Sequence, residues 1–290
     1  MQKVGISAIV TAYDRVDQTL KTLRILESCD PKPDEILVHV DGNRVECAHA
    51  IRQKSPQIRV LVSEERVGPG GGRNKLIAAA NYELIASFDD DSYPIDSDYF
   101  ARVVQLFDLF SEASILCASL YHAGKAIGLD ERKAQWTADF SGGACVYRRE
   151  AFINAGGYVP LPVAYGMEEV DLALRLHSAG GKILSSSWLR VFHETDLRRH
   201  AQPHVTAASI ANLALLAYLR YPVSLWSIGV WQCTNRVLWL LRNGRRRGIW
   251  RGLTMIPGHL RAHRRFRLTV SNRAVRSYLA LRRAPAHATL

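Results

Sequence analysis

A chain of 290 residues with 48% hydrophobic side chains can bury one large or two modest cores, and it shows neither a low-complexity tract nor an internal repeat. Its five cysteines are scattered without metal-site or redox spacing, which points to a reduced cytosolic compartment, and the first apolar stretch meets Asp14 and Arg15 too soon for a cleaved signal peptide. The net charge of +11 is unevenly divided: from Leu197 onward there are 17 arginines and no lysine or acid, which leaves 21 basic against 27 acidic residues over 1–196 and suggests two jobs in one chain.

In chain order, "VGISAIVTA" (4–12) reads as a buried strand, and 15–29 as a helix with Val16, Leu20, Leu23 and Leu26 on one face. "EILVHVD" (35–41) predicts a second strand, 45–54 a helix and "IRVLV" (58–62) a short strand. The glycine-rich "GPGGG" reads as a loop that opens a helix over 72–82, followed by a strand at 83–89, a helix at 97–110 and a strand at 113–121. Such alternation implies an α/β fold with a mostly parallel sheet covered on both faces, where ligands bind beyond the carboxyl ends of the strands. A second part starts near "FSGGACVYRREAF" (140–152), passes through a helix that ends at Gly180–Gly181, and closes with a strand pair, "KILSSSW" and "LRVFHE", over 182–194.

The rear differs. Residues 205–219 and 221–235 are uncharged stretches separated by Arg220, each shorter than the roughly 20 residues of a spanning helix. A membrane hairpin would need Arg220 at its turn. Trp226, Trp231, Trp239 and Trp250 fall here, among arginine groups at 242, 245–247, 251 and 261–267. Trp and Arg beside apolar helix faces fit amphipathic helices lying in a membrane interface.

Several acids fall where a ligand would sit. Asp89, Asp90 and Asp91 follow an internal strand; three adjacent carboxylates repel unless water or a cation relieves them, and hard divalent cations favour carboxylate oxygen. Strand alternation makes Asp90 the spare. Asp41, after Val38 and Val40, is either an Asp-Gly turn residue or an acceptor for a base or ribose. Arg73 and Asn74 add an anion-pairing group and an amide behind the glycines. Glu168, Glu169 and Asp171 open a helix, where acids are common for dipole reasons, yet a carboxylate in a cleft is also what a general base requires. Asp171 and Arg175 are spaced as a surface pair. His193 ends a strand and could supply a third metal ligand.

Taken in order, "SAIVTAYDR" (7–15), Asp41 in "VHVDGN", "GGGRNKLI" (70–77), "FDDDS" (88–92), "SGGACVYRREAF" (141–152), "EEVDLALR" (168–175) and "VFHE" (191–194) resemble an inverting glycosyltransferase of family 2 with the GT-A, Rossmann-like fold. The resemblance covers residues 4 to about 196 and implies a catalytic domain over 1–196, with 197–290 a basic, Trp/Arg-rich helical membrane-associating region. It implies that Thr11, Ala12, Tyr13, Asp41, Arg73 and Asp89 bind the nucleotide, that Gly142 and Gly143 floor the donor-sugar pocket, and that Asp91, Asp89 and His193 hold Mn²⁺ or Mg²⁺. Glu169 stands where the family usually has its catalytic Asp, and Glu168 and Asp171 remain alternatives as the base. The donor would be a nucleotide-diphosphate sugar and the acceptor a hydroxyl of a glycan or lipid-linked molecule. The protein is expected in the cytoplasm, peripherally on the anionic inner face of the membrane.

Two other classes compete. A sugar nucleotidyltransferase would carry its glycine-rich, basic loop directly after the first strand, where this chain has "TAYDR". A non-catalytic basic membrane- or nucleic-acid-binding protein could use the arginines, but the rear has no recognisable reading motif and nucleic acid is not expected as a partner.

Overall fold

The computed structural model describes residues 4–124, 126–163, 165–194 and 201–288. Its first strand, β1 (Ile6–Ala12), is buried along its whole length, because each face of the sheet meets its own apolar layer. Ala8 and Val10 pack toward α1 (Val16–Glu27), α2 (Val45–Lys54) and α4 (Tyr99–Leu109). Ile9 packs on the other side with α3 (Gly68–Ala79) and α6 (Glu168–Ser178). Period-two alternation on the strand and leucines at helical spacing on α1 produce this division.

β1 pairs in parallel with β2 (Glu35–Val40) on one side and β4 (Leu84–Asp89) on the other, and β3 (Arg59–Val62) extends the sheet beyond β2. The chain therefore reverses its direction of travel across the sheet at β1, which opens a crevice at the carboxyl ends of β1 and β4. Beyond β4 lie β8 (Ala144–Arg148), β6 (Ala113–His122), β9 (Lys182–His193), β7 (Ala134–Thr137) and β10 (Ala286–Ala288), while β5 (Ser92–Pro94) pairs with β9 off this path. β5, β7 and β8 run against the others, so the sheet is mostly parallel as expected. A short helix, α5 (Arg149–Asn154), follows β8.

Three local expectations are corrected. The glycines of 68–72 form the first turns of α3 and not a loop. The strand pair over 182–194 is one strand, β9. It bulges where β6 passes from Ala118 opposite Ser186 to Ser119 opposite Arg190, and the local irregularity mimics a break in the sequence. The Asp171–Arg175 surface pair is instead buried. Asp171 has no exposed surface and accepts from Arg175 Nη2 at 2.7 Å and from Arg220 Nη2 at 3.2 Å, with Arg220 Nε on its other oxygen.

Arg220 ends α7 (Pro203–Arg220), and its Nη1 also donates to the carbonyls of Phe266 at 2.7 Å and Leu268 at 3.2 Å. α8 (Trp226–Arg242) and α9 (Ile249–His263) follow, and no helix among the described residues is long and apolar enough to cross a membrane. The expected boundary at 196/197 lies outside the described residues. The rear does not keep to itself: Val275 and Tyr278 of α10 (Asn272–Arg283) enter the core under α6, and β10 joins the sheet at β7.

Candidate active site

The β1–β4 register sets Thr11 opposite Asp89, and the Thr11 hydroxyl donates to Asp89 Oδ1 at 3.2 Å. The next two acids diverge. Asp90 is buried and takes two bonds from Arg15, while its carbonyl accepts from Thr22 Oγ1 at 3.0 Å. β4 ends at Asp89, so strand alternation does not extend to Asp90, which lies in the following turn at the cavity wall and anchors Arg15. Asp91 lies between Arg15 Nη1 and His193 Nε2, the latter at 3.1 Å. His193 arrives from the end of β9, in register with Ser92 and His122, and its Nε2 is 3.8 Å from Asp89 Oδ2. Burial alone would raise the Asp91 pKa, but His193 and Arg15 outweigh it and hold the carboxyl below its usual range. For His193 burial pulls the pKa down, and the bond to Asp91 with the charge of Asp89 raises it above the ordinary value.

No group of three or more His, Cys, Asp or Glu side chains among the described residues is arranged as a ready cage for a metal ion. The donor chemistry at Asp89, Asp91 and His193 nevertheless fits a divalent ion shared with a diphosphate, since such ions take one or two carboxylates and complete their shell with phosphate oxygen and water.

Asp41 is placed at the crevice but faces the chain. Its oxygens accept from the backbone N–H of Val67 at 2.8 Å and Gly68 at 3.1 Å, so it holds the entry to α3, where the helix dipole favours an anion. The opening turn of α3 is therefore already capped by this carboxylate. Tyr13 stands at the rim with the guanidinium groups of Arg44 and Arg66 over its ring, at 4.6 and 4.8 Å.

Arg73, on α3, is almost fully buried; its Nε donates to Ser87 Oγ at 3.0 Å, Nη2 binds Asp89, and Nη1 is 3.7 Å from Glu168 Oε1. It joins the β4 acid to the α6 acids. Glu168 is buried with Oε2 lacking a hydrogen-bond partner. Burial, then the charge of Glu169, lifts its pKa well above the ordinary carboxylate value. Glu169 is half-buried and accepts from the Gly142 N–H at 3.4 Å, and burial raises its pKa against the opposing Arg73 charge. Glycine is needed at two positions by close approach: a Cβ on Gly70 would overlap Glu168 Oε2, and one on Gly143 would overlap the Asp89 carboxylate.

Two cavities meet here. One, of about 350 Å³, is lined by Thr11, Ala12, Tyr13, Asp41, Asp89 and Asp91 among others; the second, of about 1260 Å³, by Arg73, Gly143, Glu168 and Glu169. Both include Arg66, Pro69, Asp89 and His193. Gly142 stands behind Glu169. Asp171 lines neither cavity; its carboxylate is taken up by Arg175 and Arg220. The residues unforeseen from sequence are Arg15, which sets Asp90 and Asp91, Arg66, and the rear-segment side chains Trp231, Gln232, Asn235 and Arg236 that complete the larger cavity. Arg15 stood inside the "TAYDR" stretch; the others carried no local signal.

A parallel βα half with its site at the strand switch point, joined through an antiparallel strand to a mixed half, is the GT-A architecture of nucleotide-sugar transferases. The chain belongs to glycosyl transferase family 2, whose model matches residues 7–156. No curated protein sequence matches it. Among solved structures it is similar to GalNAc-T7 with UDP, GalNAc and Mn²⁺, at 14% identity and TM-score 0.60, over 77% of this chain and 49% of that one. The mannosyltransferase PcManGT from Pyrobaculum calidifontis, in complex with GDP-Man and Mn²⁺, matches over 95% of this chain and 75% of its own, at 13% identity and TM-score 0.57. S. aureus TarS 1–349 in complex with UDP-GlcNAc matches over 90% and 93%, at 14% identity and TM-score 0.56. At these identities the likeness is one of fold; the glycosyl-transfer role follows from the family.

Proposed function

We propose that the protein is an inverting transferase that moves a sugar from a nucleotide-diphosphate donor to an acceptor hydroxyl with Glu169 as general base. The observation that carries this reading is the pairing of Glu168 and Glu169 across the cavity from the Asp89–Asp91–His193 corner. Glu168 is buried against Arg73, whereas Glu169 is half-buried and lines the cavity beside the Gly142 N–H, so Glu169 is the carboxylate an acceptor hydroxyl can reach. Thr11, Ala12 and Tyr13 line the nucleotide cavity, with Arg44 and Arg66 fixing the Tyr13 ring as a stacking platform. Asp89, Asp91 and His193 would hold Mn²⁺ or Mg²⁺, which offsets charge on the departing diphosphate. Glu169 takes the proton from the acceptor hydroxyl as its oxygen bonds to the anomeric carbon, the bond to the diphosphate breaks, and one displacement inverts the configuration. Arg73 keeps Asp89 and the Glu168–Glu169 pair in fixed relation throughout.

The acceptor side faces the rear helices, and we place the protein peripherally on an anionic membrane surface. Trp226, Trp231, Trp239 and Trp250 are exposed by 41–77%, beside arginines that no acid in the rear segment neutralises. Thermal-shift titration with UDP, GDP and dTDP, with and without Mn²⁺, tests the donor reading. A metal-dependent rise with one nucleotide is expected; an intact fold that no nucleotide shifts overturns it.

A further inference from the structure

The rear helices form a third cavity, of about 530 Å³, between α7, α8 and α9. It falls within the roughly 300–1,000 Å³ of small-ligand sites, and its wall is almost wholly apolar, with Ala214, Tyr218, Trp226, Val230, Val237 and Leu253 in it. No charged side chain lines it. Trp226, Val230, Leu238 and Leu253 belong both to this wall and to the exposed apolar surface, so the groove opens among side chains that a bilayer would cover. A cation stands at its edge: the Arg267 guanidinium lies 4.7 Å from the Tyr218 ring centre and 5.6 Å from that of Trp226, with exposed Arg264 and Arg265 next to it.

α8 is the partition between this groove and the larger catalytic cavity. Trp231, Gln232, Asn235 and Arg236 face the catalytic side, and Gly229, Val230, Cys233 and Val237 face the groove. The two spaces are thus separated by one helix, about 10 Å across. We propose that the groove is the chain-binding site of a lipid-linked acceptor: it seats the apolar chain of a single-chain prenyl-type phosphate that carries a sugar, with the phosphate held by Arg267 and its neighbours and a hydroxyl of the sugar reaching around α8 to Glu169. An apolar groove with cations at its mouth is complementary to an anionic amphiphile, and its separation from the catalytic cavity by α8 alone selects the acceptor over bulk phospholipid. This assignment rests on the transferase reading for its purpose, but its binding test does not.

Farnesyl monophosphate is titrated below its micelle concentration against the full chain by calorimetry, with farnesol and inorganic phosphate as controls. Ala214→Phe and Thr234→Phe each place a ring in the groove; Thr234 is exposed, so its substitution leaves the core intact. Farnesyl phosphate should bind at least about tenfold more tightly than either control, since loss of one charged pairing or of chain burial is worth at least about that factor. Both variants should lose this binding by a similar factor while keeping their melting temperature, their nucleotide-diphosphate shift and their binding to phosphatidylcholine/phosphatidylglycerol vesicles. Equal binding by parent and variants, no binding by the parent, or a parallel loss of vesicle binding (which would make the groove a general bilayer anchor) overturns the proposal. Farnesyl phosphate binding by a protein that no nucleotide shifts would overturn the transferase reading and leave the groove.

Discussion

Replacing Asp171 by Asn separates a structural acid from a catalytic one. In the folded chain this carboxylate is the counter-charge for two buried guanidinium groups, Arg175 at 2.7 Å and Arg220 at 3.2 Å, and it has no exposed surface. Asn keeps the volume but removes the charge, which leaves two cations in a buried site. Breaking a buried pair in this way costs about 3–5 kcal/mol. Both arginines retain carbonyl partners, Arg220 on Phe266 and Leu268 and Arg175 on Ala155 and Gly157, so the lower end, about 3 kcal/mol, is expected. At an m-value of about 3 kcal/mol/M, the urea midpoint followed by tryptophan fluorescence falls by about 1 M. The variant that remains folded should still show a nucleotide-diphosphate thermal shift and measurable transfer. A midpoint within about 0.2 M of the parent together with abolished transfer would refute the structural role and return Asp171 to the chemistry.

Glu169→Gln should lower turnover by about 10²–10⁴-fold, with nucleotide-diphosphate binding by thermal shift unchanged; full turnover would move the base elsewhere. The pKa of Glu169 is raised by burial, so the acid limb of kcat/KM should lie above the ordinary carboxylate range, with activity lost as pH falls through it, and Glu169→Gln should abolish that limb. Gly143→Ala places a methyl against the Asp89 carboxylate, and should remove metal-dependent nucleotide binding while circular dichroism stays at the parent signal. Burial lowers the His39 pKa to about 4, from an unfolded value near 6.5. The unfolded chain therefore binds more protons between those values, and stability is full above pH 6.5 and falls as pH drops toward 4, by at most about 3 kcal/mol from this group. His39→Gln, which keeps a polar partner for Ser63, should flatten that decline in urea midpoints measured from pH 7 to 4.

Local pattern carried most of the first half. β1, β2 and α2 fall within a residue or two of where periodicity puts them, because each has a single apolar period that tertiary contacts reinforce. Asp89, Asp91, Glu169 and His193 were legible as site candidates from their place after strands and at a helix start, and the fold brings them around one cavity system. What escaped depends on long-range partners. Nothing near Asp171 in the chain announces Arg220, 49 residues on, so a four-residue spacing read as a surface pair. Asp41 kept two readings, turn residue or acceptor, because its bonds to Val67 and Gly68 need the β2–α3 geometry. The arginine-only composition of the rear likewise hid its share in the catalytic cavity, since side chains such as Asn235 and Gln232 carry no motif.

The return of α10 and β10 to the sheet bears on how the chain comes off the ribosome. Tyr278 and Val275 close the core beneath α6, and Ala286 pairs with Trp136, about half the chain earlier. Until roughly residue 283 has emerged the apolar underside of α6 has no cover, and the open edge of β7 has none until residue 288. Contacts of such long sequence separation form late and slowly, and a nascent intermediate with that surface bare is prone to aggregate. The last helix and strand thus work as a kinetic latch: their arrival ends the interval in which the half-made sheet is bare.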